Sequence, residues 1–369
     1  MSISSGPARI AELAGASRHL ITSLQAPTGA YPASPTFSQY GYCWFRDGSF
    51  IADAAGRAGD RESATAFHRF CAKAIIDRAG RIEDLISRDG PVAAAEQLPT
   101  RVRLDGTDST ADGWWNFQLD GYGTWLWALQ AHLTRYGLDG AEYRTAVELC
   151  VRYLARFWDT SCYDWWEEHV DRRHVSTLAA LQAGMAAART LPDLDEDIRR
   201  TAAHGETLIA RRIADEGIAD GHLIKWAGST AVDASLLAAV APFGVVPEAV
   251  AVTTVAAVER DLVAGGGVYR YLQDTFYGGG RWPLLAGFLG LAYLRLGRAD
   301  DAGRQLEWIA STATPERYLP EQVSDLLLAP DRHQEWVDRW GTVATPLLWS
   351  HAMFLTLADE LGVLERRTS

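Results

Sequence analysis

GYGTWLWALQAHLTRYGLDGAEYRTAVELCVRYLARFW, residues 121–158, is the stretch from which the fold follows. Apolar side chains recur in it at the three- and four-residue spacing of an amphipathic helix, giving helices at 121–136 and 140–158. The link around Gly140 is so short that the two helices must pack antiparallel. Arg61 and Arg298 sit in equally brief links. Ten further Ala/Leu-rich segments read the same way, near 7–25, 47–59, 61–80, 175–189, 193–214, 232–241, 247–260, 283–296, 299–312 and 346–361. Several starts carry a capping or proline signal, as at Asp47, Asp120 and Pro346. Alternating β-branched runs are scarce, so little sheet is expected.

The connections between these helices alternate in length. Long, polar, aromatic-rich loops at 28–46, 81–120, 159–174, 215–231, 261–282 and 313–345 precede the even-numbered helices, and short links precede the odd-numbered ones. With neighbouring helices antiparallel, all six long loops emerge at one end. Six hairpins closed into a ring make an all-α (α/α)6 barrel with its site at the loop-bearing mouth. Nothing within 1–369 reads as a linker between domains, so a single domain is expected.

The bulk composition excludes more than it selects. Hydrophobic content of 48% with 22% charged residues is that of an ordinary globular protein. A net charge of −12 argues against nucleic acid or an anionic membrane as partner, and is compatible with a small neutral ligand. No apolar run approaches the ~20 residues that span a bilayer, and residues 1–15 lack the pattern of an export signal. Cys43, Cys71, Cys150 and Cys162 are scattered, with no C-x-x-C pair, as expected of reduced thiols in a cytoplasmic protein. His169 and His174 stand five apart and no H-E-x-x-H occurs, so no metal site is expected. There is no G-x-S-x-G elbow, and the glycines of 278–280 follow no strand and form no nucleotide loop, so no organic cofactor is expected either.

Fourteen tryptophans are many for this length, and their placement is informative. Trp125, Trp127 and Trp308 fall on apolar helix faces, whereas Trp44, Trp114, Trp115, Trp165, Trp166, Trp282, Trp336, Trp340 and Trp349 fall in or beside polar loops. Two acidic clusters share those surroundings: Trp165-Trp166-Glu167-Glu168 and Pro320-Glu321-Gln322. Cleaving a glycosidic bond takes two carboxyl groups on opposite sides of the sugar, one protonating the leaving oxygen and one activating water or attacking the anomeric carbon. Flat aromatic rings suit the apolar faces of a pyranose. Aromatic walls and a like-charged neighbour raise a carboxyl pKa, as a general acid at neutral pH requires. Adjacent side chains cannot reach the same spot, so only one of Glu167 and Glu168 is expected at the scissile bond.

The loops, taken in order from Tyr40 to His351, resemble those of glycoside hydrolase family fifteen, the glucoamylase, glucodextranase and trehalase group. Tyr40-Gly-Tyr-Cys-Trp44-Phe-Arg46-Asp47 is similar to the family's Y-x-Y-x-W-x-R-D, in which Arg and Asp hold the hydroxyls of the terminal glucose and the first Tyr lies near the catalytic water. Trp114-Trp-Asn-Phe-Gln118-Leu-Asp120-Gly121 resembles W-G-R-P-Q-x-D-G, with Asn116 in place of the usual Arg. The Trp166-Glu167-Glu168 segment matches W-E-E, which implies that Glu167 is the general acid and Glu168 an acceptor-sugar contact. Arg270-Tyr271-Leu-Gln-Asp274-Thr-Phe-Tyr277 and Trp282-Pro283 resemble R-Y-x-x-D-x-Y-Y-x-G-x-P-W, with the final Trp-Pro order inverted. Leu319-Pro320-Glu321-Gln322-Val323 resembles P-E-Q-V, which implies that Glu321 is the general base, and Glu335, also among aromatics, is the competing candidate. His351, in the matching start of the last helix, is expected to be structural.

The resemblance implies an inverting exo-acting α-glucosidase that releases β-D-glucose, with its two carboxyls about 6.5–9.5 Å apart, and with Tyr40, Trp44, Arg46, Asp47, Trp114, Gln118, Asp120, Trp166, Glu168, Arg270 and Trp282 as substrate contacts. It is nearest to isomaltose-cleaving members, so a short α-1,6 gluco-oligosaccharide is the first substrate, with trehalase and maltose-cleaving readings open. A sugar epimerase on the same toroid would need two loop histidines, and His169 and His333 are the pair available. A non-catalytic sugar-binding protein would keep the tryptophans without needing the carboxyls. Oligomeric state is not legible from the sequence.

Overall fold

Several helices of this chain are buried on nearly every side. Its structure, a computed structural model, describes residues 6–109 and 117–364. Helix α2 (Phe45–Arg57) is buried at each position up to Gly56, α7 (Val175–Ala188) over most of its length, α11 (Pro283–Arg295) up to Tyr293, and α14 (Leu348–Glu360) up to Asp359. Together with α5 (Asp120–Tyr136) and the short α9 (Leu237–Val240) they close a ring. Helix α2 packs on α5, α5 on α7, α7 on α9, α9 on α11, α11 on α14, and α14 returns to α2.

Around this ring lie α1 (Gly6–Leu24), α3 (Arg61–Ile76), α6 (Arg144–Phe157), α8 (Glu196–Glu216), α10 (Glu248–Leu262) and α12 (Ala299–Ser311). These outer helices bury one stripe and expose the other. In α12 the buried set is Ala302, Gln305, Leu306, Ile309 and Ala310, a three- and four-residue period that faces α11 and α14. The six inner helices are the ones that the long loops precede, so the (α/α)6 barrel read from loop alternation is the architecture of the chain. Where α5 meets α7, backbone touches backbone. A Cβ on Gly184 would lie 2.5 Å from the Gly123 carbonyl oxygen, and one on Gly123 would lie 2.5 Å from that of Ala180.

Three differences from the sequence reading stand out among the described residues. The segment 61–80 is not one helix: α3 stops at Ile76 and a separate α4 (Ala79–Ser87) follows. Arg78 turns its guanidinium onto the carbonyls of Ala74 and Gly106 and onto Asp108, which anchors the following loop and breaks the axis. The segment 232–241 is α-helical only over α9, because the Asp233 side chain accepts the Ser235 N–H and winds 234–236 into a tighter turn. Inside the 313–345 loop lies a helix that the sequence reading missed, α13 (Pro330–Trp340), with Pro330 at its first turn and no fully buried residue.

Among the described residues the little sheet present is antiparallel and local, in three two-stranded pairs. The pair β1 (Cys43–Trp44) and β2 (Arg101–Val102) sets Trp44 opposite Arg101 and so ties two of the long loops together at the mouth. The others are tight hairpins, β3 (Ile218–Ala219) with β4 (His222–Leu223), and β5 (Val263–Ala264) with β6 (Gly267–Val268). No helix among the described residues is long and apolar enough to cross a membrane.

Candidate active site

The residues just before α2, α7, α11 and α14 meet in one cavity of about 320 Å³ at the loop-bearing end, near the small end of the range for ligand pockets. Seven tryptophans line it: Trp44, Trp165, Trp166, Trp282, Trp336, Trp340 and Trp349. All seven come from the loop set, while Trp125 is core and Trp308 is covered by Arg281. Trp114 and Trp115 lie outside the described residues.

Among the described residues four carboxyls reach this cavity: Asp47, Glu167, Glu168 and Glu321. Glu321 is 2% exposed, and its Oε1 accepts the Tyr40 hydroxyl at 2.8 Å. Burial pushes its pKa up to about 7, opposed by the Tyr40 hydrogen bond and by the Arg270 charge. Glu167 Oε1 accepts the Trp44 indole N–H at 2.7 Å. Burial raises its pKa too, with Arg46 and Trp44 working against the rise. The rings of Tyr40 and Trp44 meet edge to face with centroids 5.8 Å apart, so one aromatic pair serves both carboxyls. Glu168 turns to another wall, where it accepts the Tyr271 hydroxyl at 2.6 Å and lies 4.0 Å from Arg270.

The loop that presents Glu167 is tightly constrained. Asp164 Oδ1 accepts the backbone N–H groups of both Trp166 and Glu168 at 2.9 Å, and the Asp164 carbonyl accepts that of Glu167. Between them Glu167 sits at φ 62°, in the left-handed region, which costs a side-chain-bearing residue on the order of 1–3 kcal/mol and persists only where the surroundings enforce it. Glu321 is held with equal firmness. Its N–H donates to the Ala344 carbonyl, Val323 N–H to Arg281, and Ser350 Oγ to the Pro320 carbonyl at 2.8 Å. His351, fully buried, takes the Leu319 N–H on Nε2 and bonds Ser17 through Nδ1, the structural place expected of it.

Among the described residues three arginines line the cavity, the buried Arg46 and Arg270 and the exposed Arg339, which lies over the rings of Trp336 and Trp340. Arg46 bonds Asp47 at 3.1 Å and also reaches Gln118 at 3.1 Å and Asp120 at 3.2 Å. Burial lifts the Asp47 carboxyl to about 6 despite Arg46. Arg270 forks onto Asp274 and lies over the rings of Trp166 and Trp282. Gln118 and Asp120 do not face the cavity as direct contacts. Both are fully buried one layer behind it, where they hold Arg46, and Gln118 Nε2 also bonds the Asp164 carbonyl. Trp282, in the inverted Trp-Pro order, lines the cavity because Pro283 opens α11 directly after it.

Other candidates fall away. Glu335 is exposed, pairs with Arg332 at 2.9 Å on the outside of α13, and does not line the cavity. His169 lies tilted against Trp226 and His333 beside Tyr277, and neither lines the cavity. The sequence reading gave no role to Asp164, which heads the Trp165-Trp166-Glu167-Glu168 cluster, and passed over Lys225 and Asp233. Each is a lone charge in or beside an apolar run, and a buried charge of that kind has to be paired. Lys225 Nζ lies 3.2 Å from Asp164 and 3.0 Å from Asp233, which in turn takes the Trp166 indole N–H.

Residues 13–314 match the family described as glycosyl hydrolases family 15. An isomaltose glucohydrolase of Kribbella flavida is 50% identical over 368 residues, covering 97% of this chain and 94% of that protein. The solved structure of a wild-type glycosidase superposes with a TM-score of 0.95 at 48% identity, covering 99% of this chain and all of the other. A variant of a glycosidase with glutamate replaced by alanine, solved in complex with glucose, gives 0.93 at 47% identity, with the same coverage. A bacterial glucoamylase complexed with acarbose shares the fold, with a TM-score of 0.74 at 20% identity over 95% of this chain and 55% of its own.

Proposed function

The chain belongs to the glycosyl hydrolases of family 15, and from that membership we propose an inverting, exo-acting α-glucosidase that cleaves short α-gluco-oligosaccharides, isomaltose first, and releases β-D-glucose. The observation that carries this reading is the placement of Glu167 and Glu321 in one cavity, each gripped by one ring of the Tyr40–Trp44 pair. Glu167 is the general acid, as its match to the family's W-E-E implies, and the proton passes to the glycosidic oxygen as the bond to the anomeric carbon breaks. Glu321 is the general base. Tyr40 occupies Oε1, which leaves the other oxygen to take a proton from the water that attacks the opposite face of the sugar.

Arg46 and Asp47 are the contacts for the terminal glucose. Arg46 is ion-paired with both Asp47 and Asp120, and with Asp47 it offers sugar hydroxyls charge-assisted hydrogen bonds. Trp44, Trp166, Trp282, Glu168 and Arg270 complete the sugar contacts, and Tyr40 places the water. Gln118 and Asp120 act through Arg46. Trp114 is retained as an acceptor-side contact on its motif alone. The 50% identity to an isomaltose glucohydrolase supports the α-1,6 preference. We further propose that residues 1–369 act as one catalytic domain. Four buried cysteines without disulfides suit a reducing, cytoplasmic setting.

Glucose release from isomaltose, maltose, trehalose and nigerose tests the assignment. Isomaltose should give the highest kcat/KM of the four. Preference for maltose or trehalose would move the enzyme to another linkage within the family, and a change of configuration at C2 without glucose release would make it an epimerase.

A further inference from the structure

Lys225 is a cation that this reaction does not use directly. It leaves the apolar run Leu223-Ile224-Lys225-Trp226 for the interior, 5% exposed, and does not line the cavity. Its Nζ stands between Asp164 Oδ2 at 3.2 Å and Asp233 Oδ2 at 3.0 Å, 4.1 Å from the centre of the Tyr271 ring. Each of these partners carries a piece of the acid side of the site. Asp164 accepts three backbone N–H groups of the Trp166-Glu167-Glu168 loop, two on its carboxylate and one on its carbonyl. Asp233 takes the Trp166 indole N–H on both oxygens, at 3.1 and 3.0 Å. Tyr271 donates to Glu168. The backbone of Lys225 is itself fixed, its carbonyl accepting the Val175 N–H at the start of α7.

Asp164 and Asp233 are almost fully buried, and two carboxylates in that setting repel unless a cation stands between them. Building on the reading of Glu167 as general acid, we propose that Lys225 is a positioning residue: its ammonium joins Asp164 to Asp233, locks the loop in which Glu167 is held left-handed, and so fixes where the acid's carboxyl lies. Removing it leaves Asp164 free to pull away from Asp233 and lets the strained turn relax, which carries Glu167 off Trp44 and off the glycosidic oxygen.

The test compares two leaving groups on Lys225→Met and on the milder Lys225→Gln, with isomaltose and α-D-glucosyl fluoride as probes. A sugar oxygen needs the proton of Glu167 to depart, whereas fluoride leaves with little proton assistance. A misplaced acid should therefore lower kcat on isomaltose by roughly 10²-fold, the scale of a misplacement near 1 Å, while the fluoride loses less than about tenfold and KM for isomaltose changes little. Equal losses on both substrates would mark a general structural role and overturn the proposal, as would wild-type turnover on both. Should Lys225→Met fail to fold by circular dichroism, Lys225→Gln and the isosteric Asp233→Asn carry the same comparison. Glu167→Gln separates the two readings. If it still hydrolyses isomaltose, the acid assignment is wrong. If it loses isomaltose selectively while the Lys225 variants stay wild-type, only the role of Lys225 fails.

Discussion

In the proposed mechanism Glu167 and Glu321 do opposite work, so they answer to pH in opposite directions. Glu321 must be a carboxylate to take a proton, and burial holds its pKa up to about 7. In the free enzyme kcat/KM should thus fall as pH drops through about 7, where Glu321 takes up its proton. Tyr40→Phe removes a hydroxyl that favours the Glu321 carboxylate, so its acid limb should move to higher pH; a limb that stays put or moves down would contradict that role. Glu167→Gln and Glu321→Gln should each lower turnover ~10²–10⁴-fold or more, while Glu335→Gln, on an exposed surface pair, should stay within about twofold on the usual scale of such pairs. Near-normal turnover of Glu321→Gln with loss in Glu335→Gln would reverse the base assignment. That both carboxylates reach the cavity was legible in the sequence because each stands in a short motif, Trp-Glu-Glu or Pro-Glu-Gln. Lys225 was not, because what makes it matter is a pair of aspartates, one of them 61 positions earlier in the chain and absent from any local pattern.

At the scale of elements, the closest helix contact and the missed helix give separate tests. Helices α5 and α7 approach through Gly123 and Gly184, and a methyl group on Gly184 meets the Gly123 backbone at 2.5 Å. Gly184→Ala should cost about 1–3 kcal/mol, as overpacking does, visible as a lower denaturant midpoint with the slope unchanged; an unaffected midpoint would mean that the two helices separate freely. Helix α13 brings Trp336 and Trp340 to the cavity wall. Trp340→Ala should lower kcat/KM on isomaltose roughly tenfold, the scale of one lost aromatic contact, mainly through KM, and should cost longer isomalto-oligosaccharides less; an equal loss at all lengths would place Trp340 outside the acceptor path. The sequence hid α13 because Pro-Asp-Arg-His-Gln-Glu-Trp-Val-Asp-Arg-Trp has too few apolar residues to show a buried stripe, and none of its residues is fully buried. The inner helices posed the reverse problem. In α7, α11 and α14 apolar residues run nearly all round, so amphipathic period is weak there, and these segments read as helices mainly on their Ala/Leu-rich composition.

For the molecule as a whole, the toroid followed from alternation of long and short links, a property of the entire chain that survives misjudged boundaries such as those of α3, α4 and α9. The cavity followed from where those long loops converge. A cavity of this size, walled by α13 as well as by the loops, grips the first sugars and gains little from later ones, which lose conformational freedom without new contacts. Hence kcat/KM should fall along the series isomaltose, isomaltotriose, longer isomalto-oligosaccharides and dextran, and a rising series would indicate an open cleft. The central claim is that Glu167 and Glu321 act from opposite faces of the sugar with a water between them, and the configuration of the first product reports on it directly. Proton NMR of isomaltose hydrolysis, recorded before mutarotation sets in, should show glucose released from the cleaved bond as the β-anomer. Release of α-glucose first would mean retention, and would contradict the mechanism even with the fold, the cavity and the family intact.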